Sequence, residues 1–150
     1  MATLARAIAI AAEAHQGQQD KAGAPYVLHP LRLMLRMHTE AEMMAAVLHD
    51  VVEDTPWTLE QLRQEGFSEE VLAAVEAVTH RAGETYEAYL ARAAADPIAR
   101  KVKRADLEDN MDLRRLSALT DKDVERLRRY HRTWRKLTGG DTAGDAATLA

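Results

Sequence analysis

Apolar residues recur along most of the chain at the three- and four-residue spacing of helices that bury one face. Leu4, Ile8 and Ala11 or Ala12 predict a first helix running to about His15. Gln16–Tyr26 carries two glycines, a proline and no periodicity, and predicts a loop. His29-Pro30 opens a second helix, with the proline at a tolerated first-turn position and Leu31, Met34 and Leu35 turned inward. A third helix is predicted over Glu40–Asp54, where Met44, Val47, Leu48 and Val51 form the core-facing stripe. Pro56 stops it. Thr58 and Gln61 have capping-box spacing for a short helix ending near Gly66. Ser68 then caps a helix that buries Val71, Leu72, Val75 and Val78. Thr85–Ala95 reads as helix, packing through Tyr86, Tyr89 and Leu90; Asp96-Pro97 caps the next, Pro97–Met111. Thr120 and Asp123 precede a last helix, Asp121–Leu137, with Val124, Leu127, Tyr130 or His131, and Trp134 inward. No alternating strand pattern and no repeat occurs. The expectation is an all-α single domain over residues 1–138, with a disordered tail, rich in Gly, Ala, Asp and Thr, at 139–150.

The polar positions of the third helix are unusual. At 100° per residue His49, Asp50, Glu53 and Asp54 gather within an arc of roughly 140°, shared with Met43 and Ala46. No Lys or Arg stands between Arg36 and Arg63, so these carboxylates lack a cation nearby in sequence. An acidic, imidazole-bearing face of this kind suits a metal ion. On this stretch alone a solvated polar face is the plainer reading.

Composition narrows the chemistry. Aromatic residues are only 5% of the 150, which favours helices over sheets. Cysteine is absent, excluding disulfides, thiolate metal sites and Cys nucleophiles. The net charge of −4 argues against general nucleic-acid affinity, although a local basic pocket can still hold phosphates. No run approaches a membrane span, and Arg6 and Glu13 make the apolar N-terminus a helix rather than a signal peptide. A cytoplasmic protein is expected, and a homo-oligomer stays open. The Gln16–Tyr26 loop has no phosphate-loop spacing, and no Gly-x-Ser-x-Gly occurs.

A second polar cluster lies at Lys103–Met111, where Asp106 and Asn110 are one helical turn apart and Lys103 is one turn before. By itself it reads as charged surface. His15 and His29 are individually ambiguous, His38 and His80 sit at helix ends, and the methionines read as gap-fillers. The arginines of the last helix, Arg126 among them, read as solvated charge. Taken together, His29, His49-Asp50 and Asp106 would supply two imidazoles and two carboxylates. That set suits Mn²⁺, Fe²⁺ or Zn²⁺ with positions left for water.

These four residues resemble the ligand pattern of the HD metal-dependent phosphohydrolases. Four ordered blocks narrow the resemblance: Ala14–Gln18, Lys21–Pro30, His49–Thr55 and Val102–Met111 are similar to the hydrolase domain of RelA/SpoT-type alarmone enzymes, from about Ala2 to Leu137. The resemblance implies an all-helical domain with a Mn²⁺ site that removes the 3′-pyrophosphate of ppGpp or pppGpp. It implies His29, His49, Asp50 and Asp106 as metal ligands, Glu53 and Asp54 as the acidic pair acting on water, and Asn110 and Lys21 as substrate contacts. Lys103, on a candidate site element, is the other cation expected to meet the polyphosphate.

Two positions depart from that family. Asp20 stands where alarmone hydrolases carry an arginine that lies against guanine, and Ala22 replaces a residue that is often polar. Both sit where the base is recognised. Weak affinity for ppGpp and little discrimination between bases are therefore expected, with Asp20 repelling an anionic ligand or, alternatively, capping a turn. Two further readings follow: a nucleotidase acting on other nucleotides, and a non-catalytic nucleotide-binding domain.

Overall fold

The computed structural model describes residues 1–139 with their side chains; the tail expected at 139–150 lies outside them but for Gly139. Among the described residues nine α-helices follow in order: α1 Leu4–Ala14, α2 Leu28–Leu35, α3 Glu40–Leu48, α4 Val51–Asp54, α5 Leu59–Gln64, α6 Glu69–Ala77, α7 Tyr86–Ala95, α8 Pro97–Asn110 and α9 Asp121–Leu149. A 3₁₀ turn, Leu113–Arg115, joins the last two. No strand occurs among the described residues, only a single antiparallel bridge between Gln19 and Pro25. No helix of the described residues is long and apolar enough to cross a membrane.

The caps fall where side chains can satisfy the free N–H groups of each helix start. Thr39 and Glu42 form one capping box, Thr58 and Gln61 another. Ser68 and Thr85 accept from Val71 N and Ala88 N. Asp96 accepts from Ile98 N and Ala99 N ahead of Pro97. Thr120 and Asp123 exchange hydrogen bonds at the head of α9.

Helix α3 is the hub, packing on α1, α2, α6 and α8. Its Val47 and Leu48, with Val51 beyond its end, meet Ile10, Leu33, Leu72, Val75 and Val102 in the main core. Each such side chain contributes about 1.5–3 kcal/mol by leaving water. A smaller cluster of Leu90, Leu107 and Leu137, flanked by Tyr130 and Trp134, fastens α9 to α7 and α8.

Inward faces differ from expectation at two places, Leu35 in α2 and Tyr86 in α7, and of Tyr130 or His131 it is Tyr130 that turns inward. Leu33 rather than Leu35 is buried in α2; Leu35 is 76% exposed. Tyr86 and His131 face solvent while Tyr89 and Tyr130 pack.

The expected single helix Glu40–Asp54 is two. It breaks at His49-Asp50, because His49 Nδ1 lies 2.7 Å from Ala46 O, and the His49 backbone N–H also reaches that carbonyl, at 3.4 Å. In a continuous helix Ala46 O would accept from Asp50 N. The imidazole thus takes a helix-end acceptor and leaves its other nitrogen directed away from α3.

Candidate metal centre and the adjoining pocket

Three places in the fold deliver the four ligand-type side chains to one point. His29 enters from the first turn of α2, His49 and Asp50 from the break after α3, and Asp106 from the middle of α8. His29 Nε2 is 2.9 Å from Asp106 Oδ1; His49 Nε2 is 2.9 Å from Asp50 Oδ2 and 3.7 Å from Asp106 Oδ1. One donor atom each from His29, His49 and Asp50 lies within 4.8 Å of the others. The buried Nε2 of His49 makes no aligned hydrogen bond to any of them. Two imidazole nitrogens and two carboxylates facing one another, one nitrogen orphaned, fit a divalent ion better than they fit each other.

The electrostatics agree with the geometry. Burial disfavours charge on both histidines, but Asp50 and Asp106 hold His49 well above the ordinary histidine range, and Asp106 and Asp109 raise His29 above its ordinary value. Burial would likewise raise Asp106, yet Lys103 and the two imidazoles hold it well below a usual carboxylate.

The surrounding residues orient these groups. Asp109, fully buried, lies with Oδ2 2.6 Å from His29 Nδ1, which leaves Nε2 for the centre. Arg32 holds Asp109 in a bidentate grip at 2.9 and 3.0 Å. The Tyr26 hydroxyl donates to Asp50 Oδ2, and the His15 ring packs 5.0 Å from Tyr26. Lys103 Nζ donates to Asp106 Oδ2 at 3.1 Å, and Asn110 Nδ2 donates to Asp106 Oδ1 at 3.1 Å. Asp109, Arg32 and Tyr26 were not foreseen. Asp109 and Arg32 appear in sequence as ordinary helix charges, and only their burial sets them apart.

Two cavities flank the cluster. A small chamber of about 60 Å³ is lined by His49, Asp50, Glu53, Lys103, Asp106 and Tyr89. The larger pocket, about 320 Å³, lies between the Gln19–Tyr26 loop and α9. Lys21, Tyr26, Asn110, Arg115, Arg126 and Tyr130 are on its wall. Arg126 is therefore a pocket residue, paired with Asp123, and not merely solvated charge. Lys103 stands in the small chamber, its ammonium 5.3 Å from the Tyr89 ring centre.

Glu53 and Asp54 follow on α4. Glu53 Oε1 accepts from His80 N at 2.7 Å, which fixes the acid to the loop after α6. The Asp54 carboxyl is pushed up to about 6 by burial and by the charges of Asp50 and Glu53. Asp20 is turned into its own loop: Oδ1 accepts from Ala22 N and Ala24 N, and Oδ2 accepts from Arg115 at 3.2 Å. It caps a turn, as one sequence reading allowed, but in partial burial against a cation rather than in solvent.

The model of the HD domain family matches residues 7–135. The chain belongs to the HD domain family. Among curated relatives this HD domain is 35% identical, over 71% of its length, to a guanosine-3′,5′-bis(diphosphate) 3′-pyrophosphohydrolase of Aquifex aeolicus, and 45% identical over 47% to that of Haemophilus influenzae. It spans only 17% and 11% of those proteins. A solved metazoan ortholog of SpoT, described as hydrolysing ppGpp, superposes with a TM-score of 0.74 at 26% identity, covering 91% of this chain and 85% of that one. The RelA/SpoT-type resemblance of the four sequence blocks is borne out.

Proposed function

We propose that this HD domain is a divalent-metal-dependent phosphohydrolase of phosphorylated nucleotides, with removal of the 3′-pyrophosphate of guanosine 3′,5′-bis(diphosphate) as its first candidate reaction. The observation that carries the reading is the meeting of His29, His49, Asp50 and Asp106 beside a nucleotide-sized pocket with cations on its wall. The names of the relatives support the substrate.

His29, His49, Asp50 and Asp106 would hold the ion, Mn²⁺ first, with Fe²⁺ or Zn²⁺ as alternatives. Such an ion lowers the pKa of water and offsets phosphate charge. The protein's own groups do the rest. Glu53, held by the His80 amide and facing the small chamber, takes or orients the proton of the attacking water, with Asp54 beside it. Lys103 neutralises the outer oxygen of Asp106 and brings positive charge to the chamber. Lys21, on the pocket wall, meets phosphate, and Asn110 reaches both Asp106 and the pocket.

A second reading, a nucleotidase for less charged nucleotides, is favoured by one feature of the pocket. Its acids Asp20, Asp112 and Asp123 accompany Lys21, Arg115 and Arg126 in equal number, so the wall is close to neutral. The experiment is Mn²⁺-loaded protein with a panel of nucleotides, scoring pyrophosphate against phosphate. Pyrophosphate from ppGpp is expected; phosphate from nucleoside monophosphates instead selects the second reading. No turnover with any ion would leave a binding domain only.

A further inference from the structure

Arg115, on the 3₁₀ turn after α8, touches both halves of the site. Its Nη1 donates to Asp109 Oδ2 at 3.0 Å, to Asp109 O at 3.1 Å and to Asn110 Oδ1 at 3.1 Å. Its Nη2 donates to Asp20 Oδ2 at 3.2 Å, 95 residues away. Asp109 is the partner of His29 Nδ1. Asp20 Oδ1 gathers the amides of Ala22 and Ala24, and Asp20 N donates to Ala24 O at 2.9 Å, so this carboxylate is the inner knot of the pocket loop.

Neutralising Asp109 does not require Arg115. Arg32 already grips that carboxylate with two nitrogens, and His29 adds a third contact. What Arg115 adds is Asp20. A guanidinium has a rigid fork with donors pointing in separate directions, so it can hold two carboxylates at once; an ammonium is a single point charge. All three groups are sheltered: the side chain of Arg115 is 20% exposed, Asp20 11% and Asp109 0%. Charge-assisted bonds in such surroundings are stronger than at the surface.

We propose that Arg115 is a positioning residue that fastens the nucleotide-pocket loop to the metal centre, through Asp20 on one side and Asp109–His29 on the other. One side chain then sets both ion affinity and loop order. The proposal rests on the reading of the His-Asp cluster as a divalent-ion site, and its test separates the two.

The test compares Arg32→Gln, Asp20→Asn, Arg115→Gln and Arg115→Lys in the full chain. Mn²⁺ affinity is measured by titration calorimetry, and hydrogen exchange is followed at the Ala22 and Ala24 amides. Arg32→Gln should weaken Mn²⁺ by on the order of tenfold and leave the loop amides alone. Asp20→Asn should speed their exchange by roughly tenfold and leave Mn²⁺ affinity alone. Arg115→Gln should do both, and Arg115→Lys should fail to restore both together. If Arg115→Gln does not fold, Arg115→Lys carries the same two readouts. Arg115→Gln, folded by circular dichroism, that moves only one readout or neither overturns the proposal while the metal reading stands, and so does Arg115→Lys with both readouts at the wild-type level. Wild-type protein that takes up no Mn²⁺ overturns both.

Discussion

Asp109 Oδ2 lies 2.6 Å from His29 Nδ1, between residues eighty apart in sequence. A carboxylate on one imidazole nitrogen fixes the ring and makes the other nitrogen a better ligand. Asp109→Asn keeps the shape and removes the charge. It should weaken divalent-ion binding by about 10–100-fold, read by calorimetry on protein whose helical signal is unchanged. Unaltered affinity would make Asp109 a mere partner for the arginines.

Glu53→Gln retains an oxygen for the His80 amide and so keeps the loop after α6 in place. Turnover should fall on the order of 10²–10⁴-fold, the scale for losing a positioned acid–base group, with the ion still bound. Metal analysis alongside steady-state rates checks both halves, and full activity would remove Glu53 from the reaction.

For Asp20 the structure reverses an expectation. An arginine there would supply the flat cation that the alarmone hydrolases carry, and improved handling of ppGpp would follow from sequence alone. In the fold, Asp20→Arg deletes two amide contacts and sets a second guanidinium against Arg115. A loss of about 1–3 kcal/mol in stability is expected, by thermal or urea unfolding, with kcat/KM on ppGpp no better than wild type. A gain in kcat/KM would return Asp20 to the role of a repelling charge.

Glu42 offers a test remote from the centre. It closes the Thr39 capping box, accepts from His38 N and Thr39 N, and meets Lys101 Nζ at 2.5 Å. The Lys101 bond, opposed in part by burial and helped by those amides, holds its carboxyl below the ordinary value of 4.5. A depressed folded value means the stabilisation is present above pH 4.5 and is lost as pH falls through the folded value. Glu42→Gln should therefore be less stable than wild type at pH 7, the gap narrowing below about pH 4.5. Urea midpoints at pH 7 and pH 3.5 provide the check, and a constant gap would refute the linkage.

Helices and caps were legible because both depend on residues three or four apart. Thr58, Ser68 and Asp96 act on amides within their own first turn. The candidate quartet of His29, His49, Asp50 and Asp106 could be gathered from sequence only through the ordered blocks around it, since nothing local links His29 to Asp106. The break at His49 escaped, because the imidazole competes for a carbonyl that hydrophobic periodicity does not register. Asp109 and Arg115 escaped for another reason. In sequence they are two more charges on a polar stretch, and their meaning arises from contacts with α2 and with the Gln19–Tyr26 loop. Leu33 and Leu35, two residues apart, show the remaining limit: both are apolar, and the packing of α2 on α3 decides which is covered.

The break after α3 has a consequence for how the centre comes into being. His49 is oriented by Ala46, three residues back, so half of the cluster exists as soon as one helix end has formed. His29 and Asp106 must wait for α2 and α8 to dock. Closing that long loop is the slower kind of event, because its entropy cost falls due before the contacts repay it. During refolding, ion uptake should trail the rise of helical signal and coincide with burial of Val102 on the core. The bound ion would then act as a lock turned at the end of assembly, not as the seed around which the chain collects.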